Sequence, residues 1–360
     1  MNSLCSDSIA LLRRMVAIPS ESFHEEKVAD MLTDVLDGWG LAPKRCGNNI
    51  VSRCRHYDPS RPTLLLDAHI DTVAPAAGYT RDPYDAGCDS DKVCGLGSND
   101  DGGSVVSMIA VHRHFFDTVL PFNLVLTLSC EEERSGQAGA TLLFSPEGPE
   151  EVRNADWVII GEPTGMKAAT SERGLLVLDG LAEGVSGHAA RGEGVNALYI
   201  AMEDIQTLRS HIFSRVSPLM GKVGLNVTQI NAGTAHNVIP DRCSFVVDIR
   251  PTELYSNEEL LQELQTLCHS RLTPRNLKNR SSATYPGSPL LKTLNLLNIP
   301  TFSSPTTSNW MRTGKDAIKM GPGDSSRSHH ADEYILCSEI EDSVEKYINF
   351  IENFYGDTLE

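Results

Sequence analysis

Three short apolar runs constrain this chain more than any other feature. "TLLLDAHI" (63–70), "FNLVLTLSC" (122–130) and "ADWVIIGE" (155–162) are dense in Leu, Val and Ile, and each ends in or runs straight into polar residues. Runs of this length suit strands buried on both faces, as in the sheet of an α/β domain. Helical periodicity over 5–17, 22–39 and 103–116 supplies the layers that would cover such a sheet. Ligands of open α/β sheets sit beyond the carboxyl ends of the strands, so these polar clusters fall where chemistry is expected.

The pattern changes at about residue 172. "RGLLVLDGLAEG" and "KVGLNVTQINAG" alternate like half-exposed strands, and "RCSFVVDIRP" follows a turn at Pro240-Asp241. With helical stretches over 195–212 and 257–270, this order predicts a small α+β domain with one covered sheet face. The loop-rich "NRSSATYPGSPL" then leads back to an α/β pattern and a final helix over 338–354. The expected architecture is an α/β domain of residues 1–172 and 275–360, interrupted by a smaller domain of 173–274.

Composition narrows the function classes. With 48 acidic against 31 basic residues the formal net charge is −17, which repels phosphate backbones and anionic membranes and argues against nucleic-acid or membrane partners. No window of 18 uninterrupted apolar residues suggests a membrane span. The N-terminal "MNSLCSDSIALLRRMVAIPS" reads as an amphipathic helix closed before Pro19, not as a signal peptide. Nine scattered cysteines without a C-x-x-C pair suit free thiols in a reducing, cytoplasmic compartment.

Taken singly, the polar clusters are weak signals. His69 and Asp71 lie at i and i+2 of a predicted strand, on one face, where the Asp can orient the His; a surface pair has the same spacing. "GLGSNDDGG" holds Asp100 and Asp101 before a helix. A dinucleotide loop is excluded because Asp100 stands at the third glycine position, where it would repel a pyrophosphate. A Ca²⁺ loop beginning at Asp89 is excluded because Val93 and the glycine position do not fit. An ordinary turn with a helix cap stays open. "CEEERSG" presents Glu131, Glu132 and Glu133, which a solvated loop would also explain; Glu162 follows the third run; His329 and His330 lie in "SRSHHADEY".

Together the clusters point to metal. Two His and at least three carboxylates are expected to converge on one sheet edge, where like charges repel unless cations lie between them. Two divalent ions about 3.5–4 Å apart, bridged by one carboxylate, would neutralise the cluster and activate a water. Mixed His and carboxylate ligation suits Zn²⁺, with Co²⁺ or Mn²⁺ as substitutes.

In order and spacing, "HIDTVAP", "GSNDDGG", "CEEE", "GEPTG", "SGHAARGEGVNA", "NVIPD" and "SHHADEY" resemble the M20 family of co-catalytic zinc amidohydrolases and peptidases across nearly the whole chain. The resemblance implies a mixed-sheet di-zinc catalytic domain interrupted by an α+β lid and dimerisation domain, and a homodimer. It implies that His69 and Glu162 bind one zinc, Glu132 and His329 the other, and that Asp100 bridges them while Asp71 orients His69. Glu131 is then the general base and Glu133 is solvated. Cys130 stands where the family usually has Asp, so a register with Glu132 as base and Glu133 as ligand stays open. His188 is implied to reach the partner subunit's site and stabilise the oxyanion.

Arg250 and Arg173 are candidates for holding a substrate carboxylate, with surface ion pairs as the alternative. "GPGDSSRSHHADEY" looks most like the acetylornithine deacetylase branch, implying cleavage of an N-acyl ornithine or acyl-citrulline in arginine biosynthesis. Desuccinylation of succinyl-diaminopimelate, dipeptide hydrolysis and a non-catalytic binding role are the alternatives. Two features stand apart: Asn309, where relatives often carry Asp, and the basic "RLTPRNLKN".

Overall fold

The computed structural model describes residues 3–87 and 89–354. It comprises two compact units: Met1–Thr170, Ala283–Phe302 and Ser308–Glu360 form the first, and Ser171–Ser282 with Ser303–Thr307 form the second.

In the first unit the three apolar runs form the strands Thr63–His69, Asn123–Ser129 and Trp157–Ile160. They are parallel, with Thr63–His69 in the middle. Asp316–Lys319 extends the sheet in parallel beyond Trp157–Ile160, and Asn49–Arg53 pairs antiparallel with Asn123–Ser129. The sheet is therefore mixed. Its strands lack polar alternation because both faces are covered. Leu64, Leu66, Leu124, Leu126 and Ile159 join a core with the helices Ser3–Val16, Gly103–Phe115 and Cys337–Asn353, whereas Leu65, Val125, Val158 and Ile160 face a second core with Leu143, Val152 and Trp310.

Register carries the chemistry to one edge. His69 lies opposite Ser129, and Asp67 opposite both Thr127 and Ile160, so the residues that follow each strand emerge together. The helix expected over 22–39 begins only at Glu26. Residues 22–25 are diverted because the Ser22 hydroxyl and the buried Glu25 carboxylate bond to Asp71 and to the Glu131 N–H, contacts that a helical turn would not offer.

The second unit is a four-stranded antiparallel sheet in the order Gly224–Ala232, Arg242–Arg250, Leu176–Glu183, Arg271–Pro274. Helices Ala197–Ser210 and Asn257–Leu267 cover one face, burying Leu176, Leu178, Phe245, Val247, Leu260 and Leu264. Gly180 is required there, since a Cβ would lie 2.4 Å from the Phe245 ring.

Among the described residues no helix is long and apolar enough to cross a membrane, and the eight described cysteines are free thiols; Cys88 lies outside the described residues.

Gly161, between the Trp157–Ile160 strand and Glu162, has no room for a side chain. A Cβ would meet Ser104 Cβ at 2.6 Å, Asp101 Oδ2 at 2.9 Å and Ala68 Cβ at 3.1 Å. Gly161→Ala is expected to lower stability by about 1–3 kcal/mol through overpacking, measured as a shift in the urea midpoint at unchanged slope.

Candidate metal centre

His69 closes the central strand and is 3% exposed. Its Nδ1 lies 2.9 Å from the Asp71 carbonyl oxygen and 3.5 Å from Asp71 Oδ1, leaving Nε2 directed at Asp100 Oδ1, 3.2 Å away. Burial works against charge on this ring, but hydrogen bonding to Asp100 and Asp71 outweighs it and holds the imidazole pKa well above its usual value. Asp71 does more than orient the His. Its carboxylate accepts the Ser22 hydroxyl at 2.7 Å and the N–H groups of Glu132 and Glu133 at 3.0 and 3.1 Å. One buried carboxylate thus fixes the His and the glutamate loop together.

That loop separates the three glutamates. Glu131, expected as the base, adopts a left-handed φ of 58°, and its Oε2 accepts the Ala138 N–H at 2.8 Å, so its carboxylate closes its own loop. Glu133, expected to be solvated, is corrected by the structure: its side chain is 9% exposed and Oε1 lies 3.0 Å from His329 Nε2. The reason is the pair of N–H bonds to Asp71, which turns the chain so that its third carboxylate reaches His329. That contact pushes the His329 pKa up to about 9. Glu132 lies between them; burial, reinforced by the charges of Glu133, Asp71 and Asp100 against the opposing pull of His69, pushes its carboxyl up to about 8.

His69, Asp100 and Glu133 each place one potential ligand atom within 4.8 Å of the others. His329 Nε2 is 3.7 Å from Asp100 Oδ2, so Asp100 presents one oxygen towards each His. Burial, the Lys319 charge and the charges of Asp100 and Glu132 act on Glu162, with the net effect of raising its carboxyl well above its usual pKa. Asp101, joined to Asp100 by a cis peptide, accepts the His69 N–H at 3.3 Å, while its buried Oδ1 has no hydrogen-bond partner.

Comparison with known proteins finds relatives for the chain and its fold. The family model for a peptidase dimerisation domain, M20_dimer, matches residues 170–275. The chain is similar to acetylornithine deacetylase of Proteus mirabilis, at 29% identity over 98% of both chains, and to succinyl-diaminopimelate desuccinylase of Corynebacterium glutamicum, at 29% over 94% of both. Among solved structures it is similar to an M20 family metallo-carboxypeptidase from Sulfolobus solfataricus, with TM-score 0.75, 16% identity and 99% of each chain covered. It is also similar to a dinuclear metal-binding M20 peptidase from Bacillus subtilis, with TM-score 0.71, 12% identity and 98% of each chain covered. The chain carries an M20 peptidase dimerisation domain within an M20 fold.

The second unit holds the remaining expected residues. His188 is exposed on a short strand that pairs with Val238–Ile239, so "SGHAARGEGVNA" and "NVIPD" adjoin; its Nδ1 accepts the Ala190 N–H at 3.2 Å. The two arginines are engaged within the unit. Arg173 donates to the carbonyls of Lys222 and Arg250 at 2.7 and 3.1 Å and to that of Met220, and Arg250 grips Asp248 with two bonds of 2.8 and 3.0 Å.

Sequence reasoning missed several residues that hold the centre. Ser22 and Glu25 lie in what reads as a helix start. Glu333 lies within "SHHADEY" with no role assigned to it from sequence, yet it is 2% exposed. Only Asn309 carried a signal, as a departure from its relatives. It is buried, and its amide donates to Asp67 Oδ2 at 3.1 Å and Ser129 Oγ at 2.9 Å, tying the ends of the two central strands. Burial already raises the Asp67 pKa. Asn309→Asp would set a second carboxyl against it, so one must hold a proton in the folded state. A raised folded pKa leaves stability untouched below the unfolded value of about 4 and removes it as pH rises above that. The expected loss is about 1–3 kcal/mol at pH 8 and smaller at pH 5, read from urea unfolding at both pH values; a pH-independent loss would contradict this account.

Proposed function

We propose that this chain is a metal-dependent amidohydrolase of N-acyl amino acids, with Glu132 as general base and Glu133 as a metal ligand. The observation that carries the reading is Glu133 beside His329, with the half-buried Glu132 preceding it and the Glu131 carboxylate bonded into its own loop. The donors fit a pair of divalent ions. Imidazole nitrogens and carboxylate oxygens of the type zinc takes lie within ligating range of one another. His69 and Glu162 would hold one ion, Glu133 and His329 the other, and Asp100 would bridge them. Zn²⁺ is the proposed metal, with Co²⁺ or Mn²⁺ as substitutes.

When bound, such a metal pair polarises the amide carbonyl and provides an activated water near neutral pH. Glu132 takes the water proton and returns it to the leaving amine, a role typically worth ~10²–10⁴ in rate. Asp71 keeps the Nδ1 side of His69 engaged and the glutamate loop in place. His188 of a homodimer partner donates to the oxygen on which negative charge develops. The dimer is proposed to use the second unit, where the exposed Tyr199 and Met202 lie on the helix that packs against the edge strand bearing the exposed Ile230.

The proposed substrate is an Nα-acyl ornithine or acyl-citrulline, cleaved in the cytoplasm as a step of arginine biosynthesis. Similarity to an acetylornithine deacetylase supports it, as does a net charge of −17, which favours a cationic substrate. Desuccinylation of succinyl-diaminopimelate is the second reading, favoured by similarity at the same identity to that enzyme.

Two experiments test these assignments. Exhaustive chelation is expected to abolish hydrolysis, with recovery on adding Zn²⁺ or Co²⁺. By elemental analysis Glu132→Gln should keep two ions per subunit while losing about 10²–10⁴ in kcat, Glu133→Gln should lose metal, and Glu131→Gln should do neither. Metal loss in Glu132→Gln with retention in Glu133→Gln would return the ligand role to Glu132.

The second compares kcat/KM for N-acetylornithine, N-succinylornithine, N-acetylcitrulline, N-succinyl-diaminopimelate and several dipeptides. An acylated ornithine or citrulline is expected to lead. A lead of more than about tenfold for another substrate, ~1.4 kcal/mol in transition-state binding, would reassign the substrate and leave the metal chemistry intact.

A further inference from the structure

We infer that Glu333 is a positioning residue that sets the separation between Asp100 and His329, and so determines how tightly the ion between them is held. The inference rests on the metal reading above. Glu333 hydrogen-bonds to backbone N–H groups and not to a proposed ligand side chain. Its Oε1 accepts the N–H groups of Asn99 and Asp100 at 2.8 and 2.9 Å, and its Oε2 accepts the Gly97 N–H at 3.1 Å. Its own carbonyl accepts the Gly95 N–H at 2.8 Å. Three convergent backbone donors form an anion-binding turn of the kind that captures phosphates elsewhere; here a buried side chain fills it.

Glu333 also lies four residues after His329 and just before the strand Tyr334–Leu336, which pairs antiparallel with Lys92–Cys94. One carboxylate therefore clips the turn that carries Asp100 to the segment that carries His329. The two segments are more than 200 residues apart in sequence, as the separation of 233 between Glu333 and Asp100 shows. The 3.7 Å spacing between His329 Nε2 and Asp100 Oδ2 depends on that clip. His69 is anchored independently through Asp71.

The consequence is selective. Glu333→Gln keeps the shape but faces one of the three N–H donors with an NH₂ group. The first metal equivalent should bind as in the wild type and the second about tenfold to a hundredfold more weakly, the range for groups that orient metal ligands. The test titrates metal-free protein with Co²⁺, following heat and visible absorption, beside thermal melts of both metal-free proteins. Asp332→Asn is the control: its carboxylate bonds to Thr80 N and Oγ1 at 2.9 and 2.7 Å and not to the Asp100 turn, so both affinities should hold. If Glu333→Gln does not fold, Glu333→Asp, which keeps the charge with a shorter reach, is titrated with the same expectation. Two unchanged affinities, or equal loss of both ions in step with the metal-free melting temperature, would overturn the inference. A wild-type protein that binds no metal would remove the metal reading itself.

Discussion

Crowded carboxylates at one sheet edge are the constraint on which the rest of the structure depends. Asp100, Asp101, Glu132, Glu133 and Glu162 gather around His69 and His329, with ligating atoms of His69, Asp100 and Glu133 within 4.8 Å of one another. Two like charges ~4 Å apart repel by ~4 kcal/mol even at an effective dielectric of ~20. The fold answers in two ways. Burial raises the carboxyl pKa of Glu132, Glu162, Asp101 and Glu333, favouring their neutral forms, while Asp71, Glu333 and Glu25 accept backbone N–H groups. The acceptors of backbone N–H groups are structural. A chain that only needed stability would place apolar side chains here.

The second unit follows a different logic. Its sheet is covered on one face and open along the Gly224–Ala232 edge, where Ile230 is exposed. Open edges and exposed apolar groups are liabilities in a monomer, and this unit is the one that the peptidase dimerisation domain model matches. Arg173, in sequence a candidate for either a substrate carboxylate or a surface ion pair, spends its guanidinium on three carbonyls that close this unit's own loops.

Much of the fold was legible because its signals are local. Strands buried on both faces read as unbroken apolar runs, helices repeat every three to four residues, and each run ends at a polar cluster. Those patterns place His69, Asp100, Glu162 and the glutamate triplet at one edge before any coordinate is known. The exception among the helices, the late start at Glu26, marks a segment recruited by distant partners.

The sequence by itself determined which segments supply the centre and what type of ligands they bring. Only the tertiary structure decided where each glutamate points. Three consecutive identical side chains carry no local signal to distinguish them. Their orientation is set by Asp71, which accepts the Glu132 and Glu133 N–H groups from 61 and 62 residues away, and by Glu25, which accepts the Glu131 N–H from 106 residues away. The same holds for Asn309 and Glu333, whose roles arise from donors and acceptors that meet only when the sheet and its covering helices have assembled.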